Sequence, residues 1–437
     1  MKVSVITLGC KVNQYESQAM LSRLAPAGFT PCEPDEPCDV VIVNSCTVTA
    51  MSDRKVRQAL RRARRDHPDA VVVLTGCMPQ AFPETAERLT EADIVLGNSN
   101  RASLLPDILK FLSERRRIVD IVPHGQTSAF EPMRVEHFYD RTRAFVKIED
   151  GCNRFCSYCI IPYARGRVRS KRGEDLAREL DGIAANGYRE VVLTGINLSC
   201  YGQDIGRTLC DAVEDACARD GILRVRLGSL EPEQLGEPVI ERLRRQPKLC
   251  PQFHLSLQSG CDDTLRRMNR HYTADEYRRI VKNLRAAFPN AAITTDWMVG
   301  FPGETDAEFE TSLTFVREIG FAKIHVFAYS RRPGTAADRA QGQVSPETKE
   351  RRSHAAVRAA QELRSAYFQS QTGLREPVLF ERECEPGVFE GYTENYTPVR
   401  TASGQSLSGL VVPVRITGVR EDFCTAQTVQ PVTAPEF

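Results

Sequence analysis

The sequence predicts an α/β protein in three parts: an N-terminal domain on a parallel sheet, a partial barrel of six β/α units, and a small all-β barrel. Over most of the chain, short β-branched runs alternate with stretches of helical periodicity, which is typical of parallel sheets covered by helices. From about residue 373 the pattern changes to short strand-like pieces between Gly, Pro and Asn turns. The length of 437 residues is enough for several domains.

The composition is that of a globular protein with ordinary charge. Hydrophobic residues make up 41% of the chain, charged residues 26%, and the net charge is +1. No apolar run approaches the ~20 residues of a membrane span. The chain has 15 cysteines and no apolar leader before the first strand-like run, so we expect a reducing compartment, the cytoplasm, and no membrane association.

The N-terminal domain is expected over residues 1–115. Strand-like runs at 3–8, 39–44, 71–75 and 93–96 alternate with helical patterns at 13–24, 52–66, 83–89 and 103–112. The helix at 52–66 is strongly basic, which is either the electrostatic footprint of a polyanion such as RNA or merely a solvated face. Its basic residues are Arg54, Lys55, Arg57, Arg61, Arg62, Arg64 and Arg65.

Three cysteines of this domain follow three successive strands. Cys10, Cys46 and Cys77 each lie just past a strand-like run, beside small residues that permit tight loops. Parallel strands end at one edge of a sheet, where α/β proteins place ligands. The pattern predicts that the three thiols converge on an iron–sulfur cluster; the alternative is three buried structural cysteines.

The central domain is expected over residues 138–368, after a linker containing Pro and Gly. Six strand-like runs, at 144–148, 190–194, 224–227, 253–257, 292–298 and 323–328, alternate with helices. Such a series predicts a full or partial barrel with its active site at the carboxyl ends of the strands. A long charged helix at about 346–371 ends this part.

A second group of cysteines follows the first strand of the central domain. Cys152, Cys156 and Cys159 have the spacing Cys-x3-Cys-x2-Cys, which aims three thiolates at one point and suits a four-iron cluster with one iron left open. A structural zinc site would need a fourth ligand nearby. The nearest histidine is His137, and no second Cys-x2-Cys pair follows closely. Zinc and free thiols are the alternatives.

The other strand ends of the central domain carry glycines and polar residues. Gly195 and Asn197 follow the second strand, Ser256 and Gln258 end the fourth, and Gly300 follows the fifth. On the same rim as the cysteine loop, they are expected to line the mouth of a cofactor site.

Arginines crowd the segment just after the cysteine loop. The residues Arg165, Arg167, Arg169 and Arg172 are predicted to contact substrate phosphates, with an ordinary surface strand as the alternative.

The C-terminal domain is expected over residues 373–437 as a small barrel of the OB type, a frequent oligonucleotide platform. Its aromatic residues either stack on bases or fill the core of the barrel. They are Phe389, Tyr392, Tyr396 and Phe423.

The motifs together resemble the radical SAM enzymes and, more narrowly, their methylthiotransferase family over essentially the whole chain. They are Leu8-Gly9-Cys10, Asn44-Ser45-Cys46, Thr75-Gly76-Cys77 and the loop 151–159 with its continuation Ile160-Ile161-Pro162. The family joins an N-terminal methylthiotransferase domain, a radical SAM core and a C-terminal TRAM domain that binds RNA.

This resemblance implies two [4Fe–4S] clusters and S-adenosylmethionine as cofactors. The cluster on Cys152, Cys156 and Cys159 would bind S-adenosylmethionine and generate a 5′-deoxyadenosyl radical that abstracts hydrogen at C2 of an adenine. An auxiliary cluster on Cys10, Cys46 and Cys77 would supply sulfur, and a further S-adenosylmethionine the methyl group. The implied partners are tRNA, a flavodoxin- or ferredoxin-like electron donor and a sulfur source.

Three branches of the family differ in substrate. The runs Cys10-Lys11-Val12-Asn13 and Cys46-Thr47-Val48-Thr49 resemble the branch that modifies N6-threonylcarbamoyladenosine in tRNA, as does the run from Cys159 to Gly166. The isopentenyladenosine branch more typically has Gln-Met-Asn after the first cysteine. That branch, the branch acting on a ribosomal-protein aspartate, and a non-catalytic RNA-binding redox sensor remain the alternatives.

Overall fold

The computed structural model describes residues 1–125, 129–135, 138 and 142–429. His137 and the last eight residues of the expected C-terminal domain, 430–437, lie outside this part. Among the described helices, none is both long and apolar enough to cross a membrane.

The N-terminal domain is a six-stranded, wholly parallel sheet between two helical layers, with strand order β2-β1-β3-β4-β5-β6. The strands are β1 (Lys2–Thr7), β2 (Thr30–Pro31), β3 (Val40–Ser45), β4 (Val71–Gly76), β5 (Ile94–Leu96) and β6 (Ile118–Asp120). The helices are α1 (Lys11–Leu24), α2 (Ala50–Asp66), α3 (Cys77–Ala81), α4 (Pro83–Glu87) and α5 (Leu104–Glu114).

The alternation along β3 explains the two layers. Val40 and Ile42 pack in a core with α1 and α5, whereas Val41 and Val43 pack in a second core with α2. A strand buried on both faces reads as a continuous apolar run, so the four central strands were predictable. The edge strands β2 and β6 are too short to give a periodic signal, and β6 lies beyond residue 115.

The central domain is the predicted six-stranded partial barrel, and all its barrel strands are parallel. The strands of this domain are β7 (Arg143–Lys147), β8 (Glu149–Asp150), β9 (Arg169–Ser170), β10 (Glu190–Thr194), β11 (Arg224–Leu227), β12 (Ser229–Leu230), β13 (Gln252–Leu255), β14 (Ala292–Val299) and β15 (Lys323–Ala328). The helices are α6 (Ile161–Arg165), α7 (Gly173–Ala185), α8 (Leu209–Cys217), α9 (Glu237–Arg244), α10 (Asp262–Arg267), α11 (Ala274–Ala287), α12 (Asp306–Ile319) and α13 (Pro346–Gln371).

The barrel is open on one side. Its strands pair in the orders β7-β10-β11 and β12-β13-β14-β15. Because only Gly228 separates β11 from β12, these two count as one interrupted strand, which gives six strands and leaves β7 and β15 as the edges in the described part of the chain. Along β15, Ile324 is buried, while Lys323, His325 and Phe327 on the other face are exposed. The inner face of this edge strand is therefore open to solvent.

The C-terminal domain is the predicted five-stranded closed barrel, with the order β16-β17-β18-β20-β19. The strands are β16 (Arg375–Glu385), β17 (Val388–Thr393), β18 (Pro398–Ala402), β19 (Val411–Val419) and β20 (Cys424–Thr428). Phe389 fills the core of this barrel, whereas Phe423 lies under the guanidinium of Arg400, 4.1 Å from it.

The turn after β17 docks the C-terminal barrel onto the amino-terminal ends of β7, β10 and β11. Arg226, 2% exposed, pairs with Glu190 at 2.6 Å and donates to the carbonyls of Thr393 and Glu394 at 2.7 and 2.6 Å. The rings of Tyr392 and Tyr396 stack on each other at 4.8 Å, and the guanidinium of Arg143 lies 5.1 Å from each. These two tyrosines thus belong to a domain interface.

Candidate active site: two cysteine triplets

The structure brings Cys10, Cys46 and Cys77 together at the carboxyl edge of the N-terminal sheet. They follow the adjacent strands β1, β3 and β4, and each thiol acts electrostatically on another of the set. Cys10 is exposed, while Cys46 and Cys77 are buried. Burial raises the pKa of Cys77 to about 12, so a metal that binds its thiolate must displace a proton.

Gly9 allows the close approach of the first two cysteines. Its φ of +110° lies in the region that favours glycine, and a Cβ there would stand 2.7 Å from Cβ and 3.1 Å from Sγ of Cys46. A side chain at this position would push the Cys10 loop away from Cys46.

The second triplet lies in the loop between β8 and α6. The sulfur of Cys152 accepts hydrogen bonds from the backbone N–H of Arg154 at 3.5 Å and from Nδ2 of Asn197 at 3.6 Å. The sulfur of Cys156 accepts one from Nη1 of Arg270 at 3.5 Å. Burial raises the pKa of Cys152 to about 11, and burial and the other two cysteines raise that of Cys159.

Arg165 connects the two cysteine loops from α6. It is wholly buried, and its Nε donates to Sγ of Cys77 at 3.3 Å. Its Nη2 donates to Oδ1 of Asn13 at 2.7 Å, and its Nη1 to Oδ1 of Asp150 at 3.1 Å. Asn13 follows Cys10 by one turn of α1, and Asp150 precedes Cys152 by two residues. One guanidinium therefore contacts both cysteine-bearing segments.

A buried set of ion pairs surrounds Arg165. Glu16, 0% exposed, pairs with Arg165 at 2.7 Å, Lys147 at 2.7 Å and Arg101 at 2.8 Å. Lys147 also pairs with Asp150 at 2.6 Å. Burial alone would raise the pKa of Glu16, but its cationic neighbours outweigh it and hold that pKa below its usual range. These contacts fix the N-terminal domain against the barrel.

The structure places two of the four candidate RNA-contact arginines in the interior. Arg165 is 0% and Arg169 7% exposed, and Arg169 pairs with Asp150 at 3.3 Å. Neither guanidinium is accessible to RNA phosphates. The predicted RNA contact is therefore wrong for Arg165 and Arg169. Arg167 and Arg172 are exposed, and Arg167 lies 4.7 Å over the ring of Phe155.

The expected cofactor residues lie at different depths on the rim. Asn197 contacts Cys152 directly, and Gly195 packs against Glu149, where a Cβ would meet Oε2 at 2.7 Å. The carbonyl of Ser256 accepts from Arg270 at 2.9 Å. Gln258 adopts a φ of +63° after β13.

Gly300 lies in the turn after β14. Its φ is +71°, and a Cβ at this position would clash with Cγ of Lys349 in α13. The backbone therefore follows the helix closely at this point.

Three rim residues were missed by the sequence reasoning. Arg270 contacts Cys156 and forms a short ion pair with Glu231, and Glu149 accepts from the backbone N–H of Asn197 at 2.7 Å. Glu231 follows β12 directly. It could have been predicted in the same way as the polar residues at the ends of the other barrel strands. Arg270 lies in a loop after α10 with no local signal.

The residues around Cys152 fit a polar cofactor. Oδ1 of Asn197 and Oε1 of Glu149 are buried and lack a hydrogen-bond partner within the described part of the chain. Burial raises the pKa of Glu149 well above its usual range. Unpaired buried polar atoms are costly, and beside a three-thiol loop they indicate donors and acceptors for a bound group. The soft donor set itself suits iron–sulfur ligation.

Family and fold comparisons agree with this architecture. The model of the Radical SAM superfamily matches residues 146–316, and that of Uncharacterized protein family UPF0004 matches residues 2–97. A solved structure of the radical S-adenosylmethionine methyltransferase TsrM from Kitasatospora setae, with cobalamin and a [4Fe-4S] cluster bound, is similar in fold. The TM-score is 0.57 at 16% identity, over 77% of this chain and 76% of that one. Fold and cysteine loop define a radical SAM protein.

Relatives in sequence extend over nearly the whole chain. The threonylcarbamoyladenosine tRNA methylthiotransferase MtaB of Bacillus subtilis is 36% identical, over 98% of this chain and 97% of the relative. MtaB of Thermotoga maritima is 38% identical over 90% of both. The tRNA-2-methylthio-N(6)-dimethylallyladenosine synthase of Pelotomaculum thermopropionicum is 33% identical over 96% of both. The chain belongs to the radical SAM methylthiotransferase family.

Proposed function

We propose that this chain transfers a methylthio group to C2 of N6-threonylcarbamoyladenosine next to the anticodon of tRNA, giving the 2-methylthio derivative. The observation that carries the proposal is the pair of cysteine triplets whose segments are both contacted by the buried Arg165. The full-length similarity to relatives named for this substrate supports the branch. A tRNA substrate supports a cytoplasmic location for the reaction.

Cys152, Cys156 and Cys159 would hold a [4Fe–4S] cluster with S-adenosylmethionine, and Cys10, Cys46 and Cys77 an auxiliary [4Fe–4S] cluster. When bound, these groups supply the radical, sulfur and methyl chemistry. The unpaired oxygen of Asn197 would accept a hydrogen bond from the polar end of S-adenosylmethionine, and the carboxyl group of Glu149 would form a second one. Gly195, Ser256, Gln258 and Gly300 would shape the rest of that pocket.

The chain's own residues orient the two sites. Arg165, Glu16 and Asp150 fix the two cysteine loops in one arrangement, since moving either loop would expose buried charges. A fixed arrangement lowers the cost of bringing reacting groups together. A flavodoxin- or ferredoxin-like donor would supply electrons, and a separate source would replace the sulfur consumed.

Exposed basic residues near the barrel rim would guide tRNA. Arg167 and Arg172 border the cysteine loop, and Arg54 and Lys55 lie on the first turns of α2. The start of α2 lies at the rim, because the N–H of Ala50 donates to Oγ of Ser330 at 3.1 Å. Together with the C-terminal barrel they would supply phosphate contacts.

The test is the modified-nucleoside content of tRNA. Cells lacking the gene are complemented with the wild-type chain or with the Cys152→Ala, Cys156→Ala, Cys159→Ala triple variant, and digested tRNA is analysed by mass spectrometry. We expect the 2-methylthio form of threonylcarbamoyladenosine only with the wild-type chain. Unchanged threonylcarbamoyladenosine would overturn the proposal.

A second candidate substrate is isopentenyladenosine, because relatives named for N(6)-dimethylallyladenosine are 33–35% identical over nearly the full length. The same digest separates the two substrates by mass.

A further inference from the structure

Lys11 lies at the open side of the partial barrel. It is the first residue of α1 and follows Cys10 directly. Its ammonium group interacts electrostatically with Arg143 of β7, Arg226 of β11 and Lys323 of β15. Since β7 and β15 are the two free edges, a group close to both lies in the opening between them.

Lys11 and Lys323 are exposed cations without ion-pair partners among the residues that the structure describes. The carboxylates near them already have other partners. Glu190 pairs with Arg226 at 2.6 Å and with Arg143 at 3.8 Å, and Oδ2 of Asp296 lies 3.3 Å from Nε2 of His254. The opening therefore has an excess of positive charge, from Lys11 and Lys323, that can attract one anion.

The neighbouring residues of β15 offer an aromatic surface in the same opening. Phe327 is 46% exposed, and its ring stacks on that of His325 at 6.5 Å. His325 interacts electrostatically with both Lys323 and Lys11, which places all of them around one space. An exposed aromatic ring beside unpaired cations suits a base with an anionic substituent better than a base with an apolar one.

The two candidate substrates differ in charge at their N6 substituent. The dimethylallyl group is an uncharged hydrocarbon, whereas the threonylcarbamoyl group ends in a carboxylate. We propose that Lys11 and Lys323 bind the threonyl carboxylate of the target nucleoside and thereby set the substrate specificity of this chain. This inference rests on the proposed function and adds the residues that distinguish the two candidate substrates.

The test compares three anticodon stem-loop RNAs on the reconstituted full-length enzyme. One carries threonylcarbamoyladenosine, the second its methyl ester at the threonyl carboxylate, and the third isopentenyladenosine. Mass spectrometry gives kcat/KM for each, and filter binding gives Kd. The wild type should prefer the acid to the ester by about tenfold or more, as expected for a lost charge-assisted contact.

Lys11→Gln and Lys323→Gln should each lose about tenfold in kcat/KM and in affinity on the acid, and change little on the ester. Lys110→Gln, at an exposed position of α5, is the matched control and should leave all values unchanged. Equal iron content checks that Lys11→Gln still loads its clusters. Lys323 lies on another element, so it tests the inference independently of Cys10.

The outcomes separate the inference from the function. Equal wild-type activity on acid and ester, or equal losses on both in the two lysine variants, would overturn the carboxylate site and leave the function intact. Activity on the isopentenyladenosine RNA alone would overturn both.

Discussion

Nε of Arg165 donates a hydrogen bond to Sγ of Cys77 at 3.3 Å. The same guanidinium donates to Asp150 at 3.1 Å, on the segment that leads into Cys152. A single side chain from the barrel thus reaches a cysteine of the other domain. The relative position of the two candidate cluster sites depends on this contact and on the buried ion pairs around it.

Arg165→Gln should destabilise the protein by about 3 to 5 kcal/mol, because it leaves the carboxylates of Glu16 and Asp150 buried with fewer cations. Arg167→Gln, two residues on and exposed, is the matched control and should stay within ~0.5 kcal/mol. Urea unfolding gives both free energies. Similar values for the two variants would show that the buried pairs do not hold the domains.

Gly9→Ala should lower the iron bound by the reconstituted protein from about eight to about four atoms per chain, because one of the two proposed four-iron clusters would be lost. A methyl group at residue 9 would stand 2.7 Å from Cβ of Cys46. Gly28→Ala is the control: Gly28 has a φ of +85° but nothing within 4 Å of an added Cβ. It should cost only about 1 kcal/mol of strain and leave iron unchanged.

Iron and acid-labile sulfide assays measure this effect. Equal iron in Gly9→Ala and in the wild type would mean that the Cys10 loop has room to move, and would count against a cluster held by Cys10 and Cys46.

Much of the fold was predictable because the central strands are buried on both faces. Apolar runs such as Val40 to Val43 predict such strands directly. Because Cys10, Cys46 and Cys77 follow the ends of these strands, their position at one sheet edge was also predictable. The arginines after the cysteine loop show where this reasoning fails. Arg165 and Arg167 look alike in sequence, yet only one is buried. Its partner Glu16 is 149 residues away, so no local pattern reveals the pair.

The stability of the protein should fall as the pH drops from about 6.5 to about 4 through His124. Burial and the nearby Arg169 lower the pKa of His124 from 6.5 to about 4. The unfolded chain therefore binds a proton in this range that the folded chain does not, and protonation favours unfolding. Since His124 is half-buried, the loss is on the order of 1 to 2 kcal/mol.

His124→Gln should flatten this part of the stability profile, whereas His354→Gln, on the exposed side of α13, should not. Urea unfolding at a series of pH values measures both. An unchanged slope in His124→Gln would assign the pH dependence to other groups.

Arg226→Gln should weaken the attachment of the C-terminal barrel to the central domain. The variant loses the contacts to Glu190 and to the carbonyls of Thr393 and Glu394, at a cost of about 3 kcal/mol for a broken buried pair. We expect faster cleavage by thermolysin near residues 372–374, between α13 and β16. Arg382→Gln, whose side chain is 70% exposed, is the control. Equal cleavage rates in the two variants would show that Arg226 does not hold the C-terminal barrel against the central domain.

The two cysteine triplets differ in how far apart their members lie along the chain. Cys152, Cys156 and Cys159 lie within one short loop, so an unfolded segment already holds the three thiols close together. Cys10, Cys46 and Cys77 meet only after β1, β3 and β4 have paired. In the proposed two-cluster enzyme, metal binding by the first set would not need a folded domain, whereas binding by the second set would require the finished sheet. For the two clusters proposed above, we therefore expect an order of assembly in which the N-terminal set is completed last.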